Sequence, residues 1–125
     1  MSRQKHTPWI RFYCASAAYF ARQTWMTRTC WRVLCCLLSA LKTDGQSRTS
    51  QKSIAQMTGI AQPHISEALR LLQEHKVISQ TARGGPYFLR IAHFYRGTQA
   101  LRPFYLAQER ARRRKQHCQE GKRHG

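Results

Sequence analysis

Four polar residues, Gln62, His64, Ser66 and Glu67, stand close together in the segment QPHISEALR, and each carries a group able to meet a base edge in a DNA major groove. A glutamine amide matches the paired acceptor and donor of adenine, and a histidine can donate to the acceptors of guanine. A carboxylate accepts from the cytosine amine, and a serine hydroxyl can play either part. Ile65, Leu69 and Leu72 recur among them at helical period. The four polar groups are therefore expected on the outward face of a helix from about Gln62 to His75. Thr49, Ser50, Gln51, Lys52 and Arg70 flank them. These are hydroxyl, amide and cationic groups suited to phosphates, which fix the register of a protein on DNA without reading its sequence. Glu67 has a second available role, pairing with Arg70 three residues later.

The elements that must hold these groups are legible in the spacing. The Ser50 hydroxyl is placed to cap a helix starting at Gln51, with Ile54 and Ala55 facing inward. Ala55 is small enough for a second helix to cross close to it. Gly59 follows Met57 and Thr58, where the chain must reverse through a left-handed residue. Ile60 is expected to fasten the turn to the core, and Pro63 fits the first turn of the next helix. Ala61 occupies the N-cap position of that helix and has no side chain with which to cap it. Two short helices crossing at a tight turn over Gln51 to Arg70 match a DNA-binding helix-turn-helix. The alternative is a pair of amphipathic helices packed in an all-helical core.

On either side, Thr27 or Thr29 can cap a helix running to about Lys42, with Trp31, Leu34, Leu37, Leu38 and Leu41 as its apolar stripe and Asp44 and Gly45 ending it. Val77 to Thr81 reads as a strand, Arg83 to Pro86 as a turn, and Tyr87 to Ile91 as a return strand. The fold class expected is mainly α with a small β-hairpin, a winged helix-turn-helix. Arg83 would sit at the tip of the wing, against the DNA backbone or minor groove, with Gly84 and Gly85 keeping the turn uncrowded. An exposed hairpin whose arginine contacts nothing is the alternative.

Three segments follow from the charge and aromatic pattern. Residues 1–26 carry four basic residues and no acid, residues 27–92 nine against three, and residues 93–125 nine against two. The first is a lead-in with Trp9, Ile10, Phe12, Tyr13, Tyr19, Phe20 and Trp25. It reads as a strand near Trp9 to Tyr13 and a helix near Ala15 to Trp25. Such aromatic density points to core cover, to a dimer surface, or to stacking on bases. The last is a tail, helical from Phe104 to Gln116 and disordered beyond, in which Arg112, Arg113, Arg114 and Lys115 would add sequence-independent affinity for DNA phosphates as an electrostatic arm.

The whole chain of 125 residues has 22 Lys and Arg against 5 Asp and Glu, a formal net charge of +17. That balance implies a polyanionic partner. VLCCLLSAL is too short to span a bilayer and the amino terminus lacks a signal-peptide pattern, so no membrane partner and a cytoplasmic location are expected. Cys14, Cys30, Cys35, Cys36 and Cys118 are odd in number and show no C-x-x-C spacing, which suggests neither a disulfide framework nor a zinc site. Cys30, Cys35 and Cys36 are expected to behave as small hydrophobes within a helix, and His117 with Cys118 offers at most adventitious metal binding. No cofactor, metal site or enzymatic activity is expected: paired carboxylates, a nucleophile with its base and a phosphate loop are all missing from the sequence.

Three segments, TWMTRTCWRVLCCLLSAL, TSQKSIAQMTGIAQPHISEALRLLQEHKVI and GGPYFLRIAHFYRG, resemble winged-helix replication proteins of small plasmids, the RepL-type family, and the amino-terminal domain of phage replication protein O. The resemblance covers roughly Trp9 to Gly97. It implies a double-stranded DNA-binding protein of the bacterial nucleoid or a plasmid, acting in replication initiation or copy control, with a homodimer and the replication machinery as possible partners. Two alternatives stay open. A transcriptional repressor would use the same contacts, and an RNA-binding or ribosome-associated basic protein would fit the charge without needing a base-reading helix.

Overall fold

A computed structural model describes residues 9–97 and 99–124, with side chains up to Gln116. In chain order the elements are β1 (Arg11–Phe12), α1 (Cys14–Ala21), α2 (Arg28–Ser39), β2 (Gln46–Ser47), α3 (Gln51–Thr58), α4 (Gln62–Glu74), β3 (Ile78–Gln80), β4 (Tyr87–Leu89), β5 (Phe94–Tyr95) and α5 (Arg102–His124). The described residues are mainly helical, with small antiparallel sheets. None of its described helices is long and apolar enough to cross a membrane.

Local rules set the three central helices. The Thr27 hydroxyl accepts from the Cys30 amide at 3.3 Å to start α2, and the Ser50 hydroxyl accepts from the Ser53 amide at 3.1 Å to start α3. Gly59 closes α3 at φ 73°, donating its amide to the Ala55 carbonyl at 2.9 Å. A side chain in that left-handed region is strained, so glycine is the residue that reverses the chain. Arg32 of α2 reaches across to the Thr58 carbonyl at 2.9 Å, satisfying an end group of α3 that has no partner within its helix. Leu34 and Leu37 of α2, Ile54 of α3, and Ile65, Leu69 and Leu72 of α4 are fully buried together, and Ile60 packs at their edge.

The structure corrects the expectation for the end of α2. The helix stops at Ser39 rather than near Lys42, because the Ala40 and Leu41 amides bond three residues back, to the Leu37 and Leu38 carbonyls. The chain then turns, and the Ser47 hydroxyl, fully buried, donates to the Leu37 carbonyl at 2.7 Å. This places Gln46–Ser47 as an unexpected strand beside β4. The hairpin is thus part of a three-stranded sheet of order β2-β4-β3, with Ser47 opposite Tyr87 and Gln80 opposite Tyr87 from the other side. Cys35 is a second correction. It is exposed on α2, whereas Cys30 and Cys36 are buried, and burial raises the Cys36 thiol above its ordinary range.

The lead-in packs on the same core. Phe20 is buried, stacked on Phe94 at 5.9 Å and edge-on to Trp31, and the Trp25 ring lies parallel to the His75 ring at 4.0 Å. β1 pairs with β5, Phe12 opposite Phe94, which ties residues 11–12 to residues 94–95. The helix expected to reach Trp25 ends at Ala21, where Gln23 turns its amide nitrogen back onto the Tyr19 carbonyl at 2.9 Å. Trp9 and Phe12 remain substantially exposed. His93 Nδ1 lies 2.6 Å from Ser16 Oγ, and burial followed by the nearby Arg90 charge holds the imidazole below its ordinary pKa.

The tail departs furthest from expectation. In place of a helix that dissolves after Gln116, α5 is helical to His124. Pro103 falls in its first turn, the next glycine is Gly121, and the residues between are mostly good helix formers. His117 and Cys118 lie outside the described side chains. Three contacts dock α5 on the sheet and on the turn that follows β4. Glu109, 7% exposed, accepts from the Ile91 amide at 3.0 Å; the Arg112 guanidinium lies 3.8 Å from the centre of the Phe88 ring; and Gln116 donates to the Gln80 carbonyl at 3.1 Å.

Candidate nucleic-acid interface

α3 and α4 diverge from the Gly59 turn and leave a cleft between α4 and the β3–β4 turn, with a volume of about 800 Å³. Gln51 and Ser66 face each other across it, the Ser66 hydroxyl donating to Gln51 Oε1 at 2.9 Å. Thr49 and Ser50 close one side, and Arg83 stands exposed on the other at the turn. That turn is held in shape. Gly84 adopts φ 79°, the Gly85 amide donates to the Ala82 carbonyl at 2.9 Å, and the Gln80 side chain donates to the Gly85 carbonyl at 2.8 Å.

Arg70 also lines the cleft but is not a free cation. Its guanidinium donates to both Glu67 oxygens, at 2.6 and 3.0 Å, and to Glu74 Oε2 at 2.6 Å. The hydrogen bond from Arg70 holds the Glu67 carboxyl below its ordinary range, and Glu67 and Glu74 hold the arginine above its own. This narrows two expectations. Glu67 pairs with Arg70 rather than offering a free acceptor to cytosine, and the charge of Arg70 is offset by two carboxylates before any phosphate arrives. All three groups are more than half exposed, so the network contributes little to stability.

The other expected contacts divide into sets. Thr49, Ser50, Gln51, Ser66, Arg70 and Arg83 converge on the cleft. Gln62, His64 and Lys52 are exposed at the starts of α4 and α3 and lie outside its lining. Within the cleft, the Ser50 hydroxyl is engaged as a helix cap and Thr49 Oγ1 lies 3.1 Å from Ser47 Oγ. α4 itself begins without a side-chain cap at Ala61. Arg113 and Arg114 line a second groove, beneath α5, and Lys115 is exposed outside both.

Arg112 stands apart from its neighbours in the RARRRK run. As part of a loose arm it was expected to meet phosphates, whereas it is half-buried over Phe88, and burial lowers its pKa from the ordinary arginine value. An aromatic face attracts a cation where water is excluded, which fastens this arginine to the protein's own sheet.

Arg48, Gln73 and Gln80 line the cleft and escaped the sequence reading. Gln73 continues the Ser66, Leu69, Arg70 face by one helical step, a signal present in the sequence. Arg48 and Gln80 depend on β2 and on the strand register, which no periodicity displayed. Among the described residues, no group of three or more His, Cys, Asp or Glu is placed to hold a metal ion. No family model matches the chain, and neither curated proteins nor solved structures yield a match.

Proposed function

We propose that this chain is a winged helix-turn-helix protein that binds duplex DNA with a sequence preference and performs no catalysis. α4 would enter the major groove with Gln62 and His64 at its leading end, and the β3–β4 turn would lie over the adjacent backbone as the wing. The observation that carries this reading is the convergence of three separate segments, Thr49 to Gln51, Ser66 to Arg70 and Arg83, on one cleft beside an exposed helix start. The net charge of +17 supports a polyanionic partner. A role in plasmid or phage replication initiation or copy control rests on the resemblance of the three segments quoted above.

The test is the double variant Gln62→Ala with His64→Ala, measured on a duplex selected from a random pool and on random duplex. Loss of about tenfold or more on the selected site, with weak salt-sensitive binding retained on random duplex, is the expected result. Equal loss on both would overturn base reading. No loss on either, with RNA bound as well as DNA, would favour the RNA-binding alternative. Fragments of source DNA recovered with the protein then separate replication from repression: origins support the first, promoters the second.

A further inference from the structure

A second groove, of about 700 Å³, runs between the β3–β4 hairpin and α5. Lys76 beyond α4, Arg90 beyond β4, and Arg110, Arg113 and Arg114 on α5 all line it. Among the described residues these five cations make no ion pair. The acid in the lining is Glu109, which is buried and already engaged with the Ile91 amide. The Nε of Arg90 is buried without a hydrogen-bond partner. Five like charges drawn into one concave surface repel one another, and the protein supplies no free counter-charge among the described residues there. An external anion relieves that repulsion.

Two features identify the anion. Gln73 and Gln80 line both this groove and the α4 cleft, so the two adjoin at these side chains. Arg110, Arg113 and Arg114 recur at i, i+3 and i+4 and so share one face of α5; their forked guanidinium groups suit phosphate oxygens. Base stacking is disfavoured, because the Phe88 face is already covered by Arg112 and the Gln80 and Gln116 amides are engaged within the protein. We infer that the α5 groove binds the phosphate backbone of the same duplex whose major groove α4 enters. α5 is then a fixed wall that lengthens the bound track. The inference rests on the duplex-binding reading of the first cleft.

The triple variant R110A/R113A/R114A tests it, because all three side chains are exposed and none is a docking contact of α5. Two duplexes share one selected site, one of about 10 base pairs, a single helical turn, and one of about 25. The wild type should bind the longer duplex at least about tenfold more tightly. The triple variant should match it on the short duplex, lose that gain on the long one, and show a log–log salt slope shallower by about two to three. R110K/R113K/R114K should restore the slope. Equal weakening on both lengths, or an unchanged slope, overturns the groove while leaving the cleft standing. Wild-type binding to neither duplex overturns both readings. Retention of the length gain by the triple variant, together with lost capture of poly-glutamate, would assign the groove to an acidic protein segment instead.

Discussion

The α4 cleft and the α5 groove share Gln73 and Gln80 as a common border, yet they hold their charges differently: of the cleft's three arginines, Arg70 is offset by carboxylates, while Arg48 and Arg83 make no ion pair among the described residues. In the cleft, Arg70 is held between Glu67 and Glu74, and Ser66 is bonded to Gln51. In the groove, five cations face one another unpaired among the described residues, and the acid beside them is turned into the core. A surface that offsets part of its own charge gives less to an arbitrary polyanion and leaves more of the discrimination to the groups that project from it. A surface that leaves its cations uncompensated binds any phosphate backbone. On the proposed duplex-binding reading, selectivity and affinity would be weighted toward different sides of one hairpin.

The groove exists only while α5 is docked, and Glu109 is the residue whose loss should loosen that docking most. Its buried carboxylate satisfies the Ile91 amide and sits near Arg112, whose charge it favours against burial. Glu109→Ala leaves a buried N–H without a partner and removes that favourable charge. Urea denaturation should show a loss of about 2–3 kcal/mol, with amide exchange accelerating along α5 while α3 and α4 keep their protection. Glu109→Gln, which keeps an acceptor, should lose only about 1 kcal/mol. A loss under about 0.5 kcal/mol for the alanine variant would mean that α5 is not fastened and that the groove has no fixed wall.

The difference between the regions also explains what could be read from sequence. Capping at Ser50, reversal at Gly59 and the Ile65, Leu69, Leu72 stripe are local, decided by residues within four positions of one another, and all three were legible. The bare N-cap at Ala61 was legible for the same reason. β2 was not, because Gln46 and Ser47 form a strand only once β4 lies beside them and Leu37 offers its carbonyl. Arg112 looked like one more cation in RARRRK; only the arrival of Phe88 from a residue 24 positions earlier distinguishes it from Arg113. Composition located the charge correctly and was silent on which arginines are bound inward.

Glu74→Gln addresses the cleft directly. It removes one of the two carboxylates on Arg70 and one negative charge from the rim, while Glu67 keeps the guanidinium oriented. Because the pair is exposed, stability should change by less than about 0.5 kcal/mol. Affinity for random duplex should rise by about two- to fivefold with a slightly steeper salt dependence, and preference for the selected site should fall accordingly. Unchanged affinity for random duplex would place the network off the DNA-facing surface and remove the contrast between the two regions.

The smallest effect belongs to the start of α4. Ala61 already has extended backbone, φ −64° and ψ 141°, so Ala61→Ser introduces a capping hydroxyl without backbone strain. A typical gain is about 1 kcal/mol, but two features reduce it here. Pro63, the second residue of the helix, has no N–H to donate, and the His64 amide already reaches the Ala61 carbonyl at 3.0 Å. The new hydroxyl therefore competes for a donor that is partly satisfied. A stabilisation of about 0.5 kcal/mol, read as a rise of about 2 °C in Tm, is expected. If the start of α4 governs how firmly Gln62 and His64 are presented, the same variant should tighten binding to the selected site and leave random-duplex affinity where it was.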